Sequence, residues 1–240
     1  TYAAAACVFA PGPDPSVTYS PLSHLVLFVQ PYPHSNETYI VDLGFGGSGP
    51  LRPILFSDGE EHPEDVVWGS LPPERHRIVR AAYPSSSIET SEGSGIAPLR
   101  DWHMQVTHTP LSAVRAEWTT LYTFSEAEFF QTDINAASFE VSARPSIFQA
   151  NVICMREFEV NLEDIRSQSV YDPERDKEEL KVFESESAKG TRWVGKWTLG
   201  DRGTTVTRKI GAKTFDAKVL RNEAERVRVL RDVFRIELHE

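Results

Sequence analysis

Residues 23–47 read SHLVLFVQPYPHSNETYIVDLGFGG. Two apolar runs, LVLFV and YIV, flank a polar, proline-containing connection, a pattern that reads as two adjacent antiparallel strands. Each run carries one residue foreign to an apolar strand: His24 opens the first and Asp42 closes the second. A buried carboxylate is costly unless paired, and an imidazole on the neighbouring strand is its best local partner. An Asp holding one ring nitrogen of a His leaves the other free as a base, the logic of a nucleophile–His–Asp triad. Each residue also has a plainer reading: His24 as a hydrogen-bonded structural residue, Asp42 as a turn cap before glycine. The following GFGGSG lacks the G-x-G-x-x-G spacing and the helix of a dinucleotide loop. Its physical use is positive φ or close backbone approach. With an exposed Phe45 beside a candidate base, it suits the rim of a substrate pocket.

Outward from this stretch the same texture continues. Short apolar or alternating runs at 4–10, 24–30, 39–43, 75–82, 102–108, 118–124 and 148–156 alternate with turn clusters. The clusters include PGPDP at 11–15 and PSSSIETSEGSG at 84–95. Strands at that spacing predict an antiparallel barrel or sandwich. Residues 125–130, SEAEFF, read as a short helical turn with Ser125 as its cap. Residues 161–190 change character: they are dense in charge and poor in apolar side chains, and read as a solvated excursion, mobile or partly helical. Beyond them, 193–199 and 204–210 form a hairpin turning at Gly200–Gly203, and 215–220 adds a strand. Asn222 with Glu225 has the form of a capping box, and Ala224, Val227, Leu230, Val233 and Phe234 share one helical face.

The chain has 240 residues, 40% hydrophobic and 25% charged, enough to bury a sizeable core without a disulfide or metal staple. A formal net charge of −10 argues against nucleic acid or a membrane surface as partner. No apolar run approaches the roughly 20 residues of a membrane span. Two cysteines, Cys7 and Cys154, are too few for a secreted disulfide framework and point to a reducing, cytoplasmic setting. The seven histidines do not fall at ligand spacings with Cys or carboxylate support, so no metal site is expected. The chain opens TYAAAACVFA, without Met or a leader, and reads as a fragment that begins inside a fold.

Several motifs in order carry a resemblance. They are Ser23-His24-Leu25-Val26-Leu27, Tyr39-Ile40-Val41-Asp42-Leu43-Gly44-Phe45-Gly46, His76-Arg77-Ile78-Val79 and Trp118-Thr119-Thr120-Leu121-Tyr122-Thr123-Phe124. Phe139-Glu140-Val141-Ser142, Pro145-Ser146-Ile147-Phe148 and Trp197-Thr198-Leu199 follow. Together they resemble the arylamine N-acetyltransferases, the fungal branch in particular. The resemblance implies an α+β, mainly β chain: a β-barrel over 1–160, a charged insertion over 161–190 and a small α/β lid over 191–240. These correspond to the second and third domains of a cysteine-protease-like acyltransferase fold. The family's N-terminal helical domain, with the catalytic Cys in an R-G-G-x-C context, is expected upstream of Thr1. Cys7 and Cys154 read as buried strand and core residues.

By the same resemblance the chemistry is ping-pong transfer of an acyl group from acetyl-CoA or malonyl-CoA to an arylamine or arylhydrazine, a reaction of xenobiotic metabolism. His24 manages the proton and Asp42 orients it, completing a Cys–His–Asp triad whose Cys this chain does not supply. Phe45 lines the acceptor pocket, and Gly44 and Gly46 border the acyl and coenzyme site. Ser20 and Thr198 match positions that contact coenzyme A. A competing reading is a non-catalytic relative that keeps barrel and lid as a binding module. An unrelated β-sandwich binding module would instead place His24 and Asp42 far apart.

Overall fold

The computed structural model describes residues 1–9, 19–83, 86, 88, 97, 98, 100–143 and 147–238. The turn expected over 11–15 lies outside the described residues, as does most of the 84–95 loop. Eight strands make one antiparallel sheet: β1 (Tyr2–Phe9), β2 (Tyr19–Val29), β3 (Tyr39–Val41), β4 (Ile54–Leu55), β5 (Val67–Trp68), β6 (Arg75–Ala82), β7 (Arg100–Thr107) and β8 (Thr119–Phe124). Their order across the sheet is β4-β3-β2-β1-β8-β7-β6-β5. The sheet curls into a nearly closed barrel. Beyond its paired strands, the Gly59 N–H after β4 donates to the Ile78 carbonyl of β6 at 2.8 Å, drawing the first edge toward the last.

The core follows from alternation, since successive strand residues face opposite sides. Ala4 and Ala6 of β1, Val26 and Phe28 of β2, Ile78 of β6, Met104 of β7 and Tyr122 and Phe124 of β8 all turn inward and are buried. The alanines of β1 leave space that aromatic rings of neighbouring strands fill. Phe28 stacks on Tyr2 at 4.6 Å and meets Phe56 and Phe124 edge-on at 5.2 and 5.8 Å. Burying a ring such as Phe28 contributes about 1.5–3 kcal/mol.

The rest of the chain adds α1 (Gln131–Ala143), α2 (Ile147–Ala150), β9 (Cys154–Val160), α3 (Leu162–Ser167), α4 (Lys177–Ala188), β10 (Trp193–Gly200), β11 (Thr205–Ile210), β12 (Lys213–Val219) and α5 (Glu223–Asp232). The last four strands form a second antiparallel sheet, ordered β12-β11-β10-β9. The chain divides into two compact units, one of Thr1–Gly69, Arg75–His108 and Glu117–Val141, the other of Ser70–Glu74, Thr109–Ala116 and Ser142–Glu240. Hydrogen bonds sew the two short segments into the second unit. Val194 N–H donates to Ser70 O at 3.1 Å, Tyr171 Oη to Pro72 O at 2.6 Å, and Leu111 N–H to the buried Glu179 carboxylate at 2.7 Å. In that unit α5 packs Leu230 against Leu199 and Val206 of the sheet, with Leu220 and Phe234 completing the cluster.

Two local expectations change, and a third is made specific. Residues 125–130 form no helix; the helix begins at Gln131, after Phe130, where the Asp133 carboxylate accepts the Phe130 N–H at 2.9 Å. The strand expected over 148–156 is replaced by α2 and then β9, which pairs with β10 in the second sheet. The charged 161–190 run carries α3 and α4, anchored by buried Ile165 and Phe183. No helix among the described residues is long and apolar enough to cross a membrane.

Candidate active site

The pairing of β2 with β3 sets Leu27 opposite Val41. One step further along the same register Asp42 would stand opposite Val26, two residues from His24 on the same face of the sheet. A diagonal contact across an antiparallel pair is within reach of such side chains. On its other side His24 is opposed by Ala6 of β1, whose small side chain leaves room for the imidazole.

The contact is made: His24 Nε2 lies 2.7 Å from Asp42 Oδ2, with the Asp42 side chain fully buried and that of His24 13% exposed. The second carboxylate oxygen, Oδ1, accepts the N–H groups of Gly44 and Phe45 at 3.0 and 3.1 Å. Burial alone would raise the Asp42 carboxyl. The His24 hydrogen bond and charge, helped by the Gly44 N–H, outweigh it and hold the carboxyl below the ordinary carboxylate value. Asp42 is therefore an anion near neutrality, and it fixes the imidazole by Nε2. His24 Nδ1 is the ring nitrogen that Asp42 does not bind.

Two aromatic rings enclose the imidazole. Phe45 meets it nearly perpendicular at 5.3 Å, Tyr122 tilts against it at 5.1 Å, and the two rings touch one another at 5.2 Å. Tyr122 is completely buried on β8. Burial first and the Asp42 charge second push its phenol far above the usual value, so it stays protonated. Its hydroxyl has no hydrogen-bond partner of ordinary geometry among the described residues. Sequence reading passes over Tyr122, because in TTLYTF it is indistinguishable from any other inward-facing strand residue.

These contacts place the expected site residues as follows. His24, Asp42, Gly44 and Phe45 form one cluster, and Gly46 continues its loop, accepting the Gly49 N–H at 2.7 Å. Ser20 sits four residues before His24 on β2, its Oγ accepting the Val8 N–H at 3.0 Å and lying 2.9 Å from Ser23 Oγ. Thr198 belongs to the second unit, on β10, with its Oγ1 2.5 Å from Thr207 Oγ1 of β11.

Residues 1–191 match the sequence model of the N-acetyltransferase family. The chain belongs to the arylamine N-acetyltransferase family. Among curated relatives it is similar to the N-malonyltransferase FDB2 of Gibberella moniliformis, 26% identical over 227 residues, which cover 94% of this chain and 53% of that protein. It is also similar to the N-malonyltransferase FDB2 of Fusarium pseudograminearum, 24% identical over 223 residues, 92% of this chain and 52% of the relative. The chain thus spans about half the length of these relatives. Among solved structures, the arylamine N-acetyltransferase from Salmonella typhimurium superposes with a TM-score of 0.60 at 17% identity, covering 100% of this chain and 62% of that one. The enzyme from Mycobacterium abscessus gives 0.58 at 19% identity, with coverage of 99% and 61%. These two share the fold, a β-barrel followed by a small sheet with helices.

For a member of this acyltransferase family the thiols matter. Ala6 faces inward with Phe124, its partner on β8, so Cys7, paired with Thr123, turns to the other face. Burial, with Asp101 adding to it, pushes the Cys7 thiol up, and burial does the same to Cys154 in the second unit. A raised thiol pKa lowers the thiolate fraction of both. Among the described residues no group of three His, Cys, Asp or Glu side chains is arranged to hold a metal ion.

Proposed function

We propose that this chain carries the proton-transfer half of an arylamine N-acetyltransferase site, working by ping-pong acyl transfer from acetyl-CoA or malonyl-CoA to an arylamine or arylhydrazine. The observation that carries the reading is the 2.7 Å bond between His24 Nε2 and a fully buried Asp42 carboxylate, in a member of this family. In the first half-reaction a cysteine thiolate attacks the thioester carbonyl, the C–S bond to coenzyme A breaks, and the departing thiolate takes the proton of the His24 imidazolium, leaving the ring neutral. In the second, the amine nitrogen attacks the acyl-enzyme, gives its proton to His24 Nδ1, and the enzyme thiolate leaves. Asp42 orients the ring and stabilises the imidazolium. The nucleophile is neither Cys7 nor Cys154 and lies outside residues 1–240.

Phe45 lines the acceptor pocket in this reading, and the Gly44 and Gly46 backbone borders the acyl site. Ser20 and Thr198 are assigned to coenzyme A. The malonyl option is supported by the Gibberella and Fusarium relatives, which are N-malonyltransferases. The site works without a metal and in the cytoplasm, and its partners are small molecules rather than nucleic acid or a membrane.

The test uses the full-length protein with acetyl-CoA or malonyl-CoA and an arylamine, following amine-dependent release of coenzyme A thiol. Transfer should fall by about 10²–10⁴-fold in His24→Gln, and Asp42→Asn should lower it while leaving acyl-CoA binding intact. Acyl-CoA or amine binding without turnover from either donor would favour the non-catalytic binding module instead.

A further inference from the structure

Outside the His24–Asp42 pair, a second histidine is tied to the loop that carries Phe45. His76 lies on β6, is fully buried, and shares the inner face of the barrel with Ile78. Its Nε2 lies 2.7 Å from the carbonyl oxygen of Ser48. A carbonyl can only accept, so the bond fixes the tautomer with the proton on Nε2. A polar ring inside an apolar barrel is costly unless its donor is satisfied, and here the satisfaction comes from a loop 28 residues away in sequence.

Ser48 stands within a tight turn. Gly46 and Gly47 have φ of 69° and 51°, in the left-handed region that favours glycine, and the Gly49 N–H closes the turn on Gly46 O at 2.7 Å. A Cβ on Gly49 would stand 2.9 Å from the Cβ of Phe45 and 3.1 Å from its ring. The turn therefore packs directly against Phe45. That residue is gripped twice, by Asp42 Oδ1 at its own N–H and by Gly49 from beyond the turn.

We propose that His76 is a positioning residue: by holding the Ser48 carbonyl it fixes the 46–49 turn, and through Gly49 it keeps the Phe45 ring perpendicular to the His24 imidazole. The kinetic consequence rests on the acyl-transfer reading; the geometric claim does not. His24 and His76 thus have separate tasks on one loop. The first holds Asp42 before it, and the second holds Ser48 after Phe45.

The experiment compares His76→Leu, which removes the donor at similar volume, with His76→Gln, whose amide nitrogen reaches the position of Nε2. His76→Asn, too short to reach Ser48, replaces the Leu variant if that one does not fold. Gly49→Ala leaves His76 in place and crowds Phe45 from the turn. In the full-length protein the NMR shift of the His24 ring protons reports the facing Phe45 ring. That shift should move in His76→Leu and in Gly49→Ala and return to wild type in His76→Gln. In the acyl-transfer assay kcat/KM for the amine should fall in His76→Leu, by up to about 100-fold, with kcat/KM for acyl-CoA little changed and His76→Gln restored. An unchanged His24 signal in a folded donor-less variant, or a His76→Gln as displaced as His76→Leu, overturns the proposal. A wild type that transfers no acyl group sinks the functional reading, while the His24 shifts still decide the positioning claim.

Discussion

Asp42 concentrates the residue-scale argument. Its carboxylate is buried, yet three donors hold it: His24 Nε2 and the N–H groups of Gly44 and Phe45. Because its folded pKa is depressed below 3.8, the stability it contributes is fully present above that value and is lost as pH falls through the folded pKa. Urea midpoints measured downward from neutral pH should therefore show an acid loss in wild type that is smaller in Asp42→Asn. Equal acid slopes in the two proteins would mean that Asp42 is not held as an anion. Both members of the pair stood out as candidates in residues 23–47, since a His and an Asp in apolar strands are each other's best partners, although each also had a plainer reading there. Tyr122 and His76 were not legible. One reads as ordinary core, and the other gains meaning only from a carbonyl that the folded chain brings to it.

At the scale of elements, local chemistry spoke clearly where it was strong. Asn222 caps α5, its Oδ1 accepting the Glu225 N–H at 3.0 Å, although the Glu225 carboxylate reaches back to the Arg221 N–H rather than to Asn222. α1 was silent in the sequence because QTDINAASFEVSA carries no apolar stripe, and Phe139 on it is 64% exposed. The strand over 148–156 slipped toward 154–160 because its true partner, Trp193–Gly200, is distant in sequence and sets the register from outside. Gly195 on that partner strand has a specific duty. A Cβ there would lie 2.3 Å from Phe158 Cζ and 2.8 Å from the Lys209 carbonyl, so the strands close only around a bare backbone. Gly195→Ala should cost about 1–3 kcal/mol in chemical denaturation, and Phe158→Leu in the same chain should recover part of that loss. A Gly195→Ala protein as stable as wild type would show that Phe158 yields at no cost.

On the scale of the whole molecule, the two units have separate hydrophobic clusters, and the charged run belongs firmly to the second. Phe183 of α4 is 1% exposed and stacks on Trp193 of β10 at 5.6 Å. Phe183→Ala should cost about 3–5 kcal/mol. Hydrogen exchange should accelerate first in α4, β9 and β10 and leave the β1–β8 amides protected. Uniform acceleration through both sheets would overturn that division. By itself, the sequence determined a strand-rich antiparallel fold, the capped terminal helix and the candidacy of His24 and Asp42 as partners, because alternation, caps and the cost of an unpaired buried charge are written in near neighbours. The choice of barrel over sandwich came from the family resemblance. The tertiary structure alone decided that Tyr122 and Phe45 enclose the imidazole and that His76 grips the Phe45 loop. It also decided which sheet receives Cys154–Val160. Those contacts join residues far apart in the chain, and only closure of the barrel and assembly of the second sheet bring them within bonding distance.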